Sequence, residues 1–121
     1  MTHIYIAIFI AFLFSSNTRE QDPVKTDGDK YHAVLENERV RVLEYIDKPG
    51  DKTNMHKHPD FVLYALSPFK RKLTFDDGKT MSRDFKTGDV IWMNAQTHIG
   101  ENIGQTITHV LIVELKEPVK K

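Results

Sequence analysis

The stretch "MHKHPD", Met55 to Asp60, places two histidines two residues apart. On a helix that spacing points the side chains to different sides, but on a strand it puts them on one face. In extended chain the two Cα atoms stand about 6.6 Å apart, and both imidazoles can reach one ion at about 2.1 Å. Pro59 disfavours a helix at this point. Two readings stand for the pair alone: half of a metal site, or solvated surface residues beside Lys52 and Lys57.

Composition limits the chemistry available. The chain has no cysteine, which removes disulfide scaffolds, thiolate metal sites and thiol nucleophiles. A metal here would be held by imidazole, carboxylate or water, which suits Fe, Mn, Ni, Cu or Zn. Lysine plus arginine equal aspartate plus glutamate at 17 each, so there is no single-sign field to draw in nucleic acid, and none is expected as a partner. There is no Gly-rich phosphate loop, no G-x-S-x-G and no H-E-x-x-H.

The elements that must position the histidines read as strands. Short runs recur between turn residues with no sustained helical period: Arg39 to Ile46, Phe61 to Leu66, Lys70 to Phe75, Lys79 to Phe85, Asp89 to Met93 and Thr106 to Leu115. This is the pattern of an all-β sandwich or barrel, and 121 residues suffice for one core. Asp76-Asp77-Gly78 between Phe75 and Lys79 predicts a hairpin.

Ahead of the strands, residues 1–18 are set apart by the apolar run Ile4 to Phe14. As a helix its length is about 16 Å, short of the ~30 Å hydrocarbon core, so no membrane span is expected. The run has the length of a signal-peptide core, although Met1-Thr2-His3 carries no lysine or arginine. Export to a periplasmic or secreted location is expected if it is a signal peptide, and a cytoplasmic location otherwise. Residues 19–30 are polar and read as a linker, and residues 31–118 as the folded domain.

Gly50, His56 and His58, followed about forty positions later by Gly88, His98 and Asn102, resemble the two signature motifs of the cupin superfamily. The resemblance covers roughly Glu36 to Leu115 and implies a single-domain double-stranded β-helix, the jelly-roll barrel. It implies His56, His58 and His98 as ligands of one divalent metal, the third arriving from the facing sheet. The chain departs from the pattern where an acidic ligand would fall, at Val62 or Leu63, and where Asn94 stands for a proline. The phrases "ENERVRVLEY", "MHKHPDFVLYAL" and "THIGENIG" further resemble a group of small cupins associated with beta-alanine degradation.

Other residues are weighed within that frame. Asp60 shares strand parity with His56 and His58 and is a candidate replacement carboxylate, or else a turn cap. Tyr64 shares the parity too, as a candidate catalytic phenol or a half-buried strand tyrosine. Asn102 is read as fixing the loop after His98, and His109 as a core, surface or interface histidine. Phe61, Phe75, Trp92 and Met93 are candidates for a pocket lining, and Lys70-Arg71-Lys72 for a solvated edge.

Two functions follow as expectations: a metal-dependent enzyme on a small organic molecule, similar in donor set to three-histidine thiol dioxygenases, or a non-catalytic small-molecule or metal-binding module. A homodimer is expected, since a small domain gains from pairing a sheet edge or face.

Overall fold

A computed structural model describes residues 21–117. The expected signal peptide, and the ends of the expected linker and domain, lie outside these residues. Nine strands form among them: β1 (Tyr31–Glu36), β2 (Val40–Asp47), β3 (His56–His58), β4 (Phe61–Ala65), β5 (Phe69–Phe75), β6 (Thr80–Phe85), β7 (Val90–Met93), β8 (Gln96–Asn102) and β9 (Thr108–Leu115). All six expected runs are strands. Of the strands without a run of their own, β3 is very short, β8 is polar, and β1 has no alternation, its residues after Tyr31 being exposed.

Two antiparallel sheets face each other. One has the order β1-β2-β9-β4-β7 and the other β3-β8-β5-β6. Alternation decides which side of each strand faces the interior: along β9, Thr108, Val110, Ile112 and Glu114 are buried while the residues between them are half-buried. Leu43, Tyr45, Phe61, Ala65, Phe69, Val110 and Ile112 fill the core between the sheets. Gly78 closes the β5–β6 hairpin at φ 87°, where Gly78 N–H donates to Phe75 O at 3.0 Å.

The stretch read as a linker is, from residue 21 onward, docked on the barrel. Helix α1 (Pro23–Thr26) is capped by Asp22, which accepts from Val24 N–H at 2.9 Å. The same carboxylate takes both ends of the Arg41 fork, at 2.8 and 3.0 Å. Asp27 is buried and accepts from Asn54 N–H at 3.0 Å. Polar composition disguised the docking, because it is made by charges and caps rather than by an apolar stripe. Among the described residues no helix is long and apolar enough to cross a membrane.

Leu43 is fully buried at the centre of the core. Leu43→Ala is expected to cost about 2–5 kcal/mol in urea unfolding, against under about 0.5 kcal/mol for Lys57→Ala on the exposed side of β3.

Candidate metal centre

Strand β3 carries His56 and His58 on its inner side, with Lys57 turned outward. Register then supplies the third histidine: β3 runs antiparallel to β8, and His56 lies directly opposite His98. The three buried rings have centroids 4.7 to 5.2 Å apart, with His56 edge-on to both others and His58 and His98 tilted at 53°. One nitrogen from each lies within 4.8 Å of the others. His98 therefore comes from the neighbouring strand of the same sheet, not from the facing one as expected.

Every ring is oriented by an oxygen at Nδ1. His58 Nδ1–H donates to Glu114 Oε2 at 2.8 Å, His98 Nδ1–H to Gln96 Oε1 at 2.7 Å, and His56 Nδ1–H to the Asn54 carbonyl at 2.9 Å. A proton on Nδ1 leaves Nε2 as the unprotonated nitrogen of each ring, which is the ligating tautomer. Ligands about 2.1 Å from one ion in a tetrahedral set stand about 3.4 Å apart, so movements of under about 1 Å per ring complete the set. Three imidazoles held in this way fit a divalent transition metal.

Burial keeps two of the rings uncharged. It lowers His56 to about 4, with help from His58, and pushes His98 down to about 2, with help from both neighbours.

The facing sheet adds two groups that the sequence reading did not single out. Tyr31, at the start of β1, is buried, and its hydroxyl donates to His56 Nε2 at 3.2 Å. Burial raises its pKa, so the phenol stays protonated. Glu114, on β9, holds His58 and is held in turn by Arg41 Nε at 2.8 Å. Only Glu114 had a visible signal, as the charge that breaks an apolar run at inward parity.

The other candidates fall elsewhere. Asp60 is exposed and accepts from Ala95 N–H, between β7 and β8, at 2.7 Å. Tyr64 is on the outer side of β4 and 42% exposed, away from the histidines. Strand β4 alternates independently of β3 after the break at Pro59, so parity does not carry through. Leu63, where an acidic ligand was sought, is an apolar core residue. Asn102 fixes its loop as expected: Nδ2–H donates to Thr106 O at 2.8 Å, and Oδ1 accepts from Gly104 N–H at 3.0 Å. His109 is half-buried on the outer face and pairs with Glu44 at 3.0 Å.

An internal cavity of about 40 Å³ reaches His58 and His98 and is otherwise mostly apolar, with Phe61, Leu63, Phe69, Phe85, Ile91 and Met93 in its wall. Phe75 packs against His98 with ring centroids 6.3 Å apart, whereas Trp92 is half-exposed on the outer face. Arg71 corrects the reading of its basic run. Lys70 is exposed, but Arg71 shares inward parity with Phe69 and is buried in the cavity wall.

Solved structures share this architecture. A cupin domain from Bordetella pertussis Tohama I matches with a TM-score of 0.65 and 24% identity, over 72% of this chain and 92% of that one. The chain has the cupin double-stranded β-helix fold. An RmlC-like cupin from Methanocaldococcus jannaschii matches with a TM-score of 0.59 and 17% identity, over 73% and 80% of the two chains. An oxalate decarboxylase variant from Bacillus subtilis matches at 0.51 and 26%, over 64% of this chain but 22% of that larger one. No protein-family model matches the sequence, and no curated protein matches it.

The lowered histidines carry a pH signature. Below about pH 6.5 the unfolded chain takes up protons that the folded chain cannot, so stability falls with falling pH. Metal-free protein is expected to lose up to about 1.4 kcal/mol per pH unit for each such histidine, from near pH 6.5 down to about 4. Urea midpoints across that range check this, and replacing His98 with Asn flattens the slope.

Proposed function

We propose that this cupin binds one divalent transition metal through His56, His58 and His98 and presents it to a small organic molecule in the barrel. The observation that carries the reading is the common orientation of the rings. Three buried rings have Nδ1 hydrogen-bonded to oxygen, and one nitrogen of each lies within 4.8 Å of the others.

A metal held this way would act as a Lewis acid on a bound oxygen or nitrogen of that molecule, since three ligands leave coordination positions open. The chain's own groups provide the rest. Glu114 keeps His58 in the ligating tautomer, and Arg41 holds Glu114 in place. Tyr31 offers a protonated phenol beside the His56 nitrogen, where it can donate to a bound molecule or pass a proton. The apolar wall keeps bulk water away. Tyr31 favours an enzyme, with oxygenase-type chemistry as the class suggested by the donor set.

A non-catalytic binding module is the second reading. It is favoured by the all-imidazole set, in which no carboxylate of the described residues joins the cluster, and by the small cavity.

Elemental analysis of tag-free protein purified without added metal tests the site. About one ion per chain is expected, absent from a His56→Ala/His98→Ala double variant. Ion at about 100 times its Kd adds about 2.7 kcal/mol of stability, a rise in melting temperature of about 10 °C or more. No metal in either protein, together with no response to added divalent ions, overturns the reading. An oxygen electrode separates the two functions: an oxygenase consumes O2 with small organic acids and loses at least about tenfold in Tyr31→Phe, while a binding module consumes none.

A further inference from the structure

The two sheets differ on their outer faces. On the smaller sheet the outward side chains are polar: Glu101, Lys72 and Ser82 stand in one row across β8, β5 and β6. That is the ordinary arrangement for an antiparallel sheet with one face in water. On the larger sheet the outward row is Leu35, Val42, Val113, Val62 and Trp92, one residue from each of β1, β2, β9, β4 and β7 in direct register. The next row carries Leu111, Tyr64 and Val90 on β9, β4 and β7.

Strand β9, at the centre of this sheet, is apolar on both sides. Val110 and Ile112 fill the core, while Leu111, Val113 and Leu115 alternate with them on the outside. A strand of that pattern belongs between two covered faces. Among the described residues the outer face has no cover of its own, since Leu35, Val90 and Trp92 are each more than half exposed.

Charge narrows the choice of partner. The two apolar rows hold no lysine or arginine, so they offer nothing to a nucleic acid or an anionic surface. The ionisable groups at the middle of the face, Glu44 on β2 and His109 on β9, pair with each other at 3.0 Å, and His32 stands at the β1 margin. A face that is apolar and internally paired sets no uncompensated charge against its own copy, which an isologous contact requires.

We infer that this face is the contact between two copies of the chain, packed sheet on sheet. Five strands about 4.8 Å apart, extending about 20 Å, present about 500 Å² in projection, so two copies cover about 1,000 Å² or more, the size at which specific interfaces begin. The sheet edges are poorer contacts. β1 shifts register between Ala33 and Leu35, and β7 has four residues; an irregular and a short edge both oppose strand pairing. The inference is independent of the metal reading, because every residue it uses points away from the histidines.

Sedimentation of the full chain, with Trp92 emission as a local probe, tests the face. Trp92 is the chain's one tryptophan, so its fluorescence reports on this row alone. At about 50 µM the wild type is expected to sediment at twice the chain mass. Dilution to monomer is expected to move Trp92 emission to longer wavelength and open it to acrylamide quenching, with one midpoint for mass and emission. Val62→Lys and Tyr64→Lys each place a charge in the contact without touching the core. Each is expected to weaken association about thirtyfold or more with far-UV circular dichroism unchanged, while Ser82→Lys on the smaller sheet leaves it as in the wild type. A wild-type monomer at about 50 µM overturns the inference. Trp92 shielded from acrylamide in that monomer would assign the face to residues 1–20 of the same chain, and Trp92 emission that responds to neutral phosphatidylcholine vesicles would assign it to lipid. A dimer whose dissociation leaves Trp92 emission unchanged, or one that both lysine variants form as the wild type does, uses another surface and equally overturns it.

Discussion

The pairing of His56 with His98 across β3 and β8 is the contact on which the site depends. Histidine rings packed this closely in a dry interior cannot all carry charge, and burial sets His56 and His98 well below the ordinary imidazole range. Neutral rings are adhesive only if their polar atoms are matched. The fold meets that condition at Nδ1 with one carbonyl, one amide and one carboxylate, and so turns the free nitrogens toward one another. A slip of one residue between the two strands would send Lys57 or Thr97 inward and dissolve the arrangement.

Two ion-pair networks, one part-buried and one buried, hold the sheets around this cluster. Asp22, Arg41 and Glu114 tie helix α1, β2 and β9 together and end on His58. Asp47, Arg71, Tyr45 and Asn102 tie β2, β5 and β8 at the other end of the cavity, with the Tyr45 hydroxyl donating to Asp47. Buried ion pairs of this kind add little net stability, because desolvation offsets their attraction. Their consequence here is placement. The first keeps the His58 ring in one orientation, and both join segments far apart in the chain.

Much of the fold was legible because its strands alternate or run apolar between turn residues, as in the stretch from Thr106 to Leu115. The histidine pair was legible because two-residue spacing has a single meaning on a strand. Tyr31, Arg71 and Gln96 were not, since hydropathy carries no period around them and only the opposing strands supply the reason for where each side chain faces. Parity misled at Asp60 and Tyr64 because the chain breaks at Pro59, and β4 sets its own facing.

By itself, then, the sequence determined an all-β chain with two motif-bearing segments, no thiol chemistry and a neutral surface. These follow from residue type and local spacing. The tertiary structure decided that His98 joins from the adjacent strand, that Glu114 and Tyr31 complete the surroundings of the rings, and that Arg71 and Thr108 face the cavity. Those are matters of register between strands distant in sequence, and register is set by packing across the barrel, which no local pattern encodes.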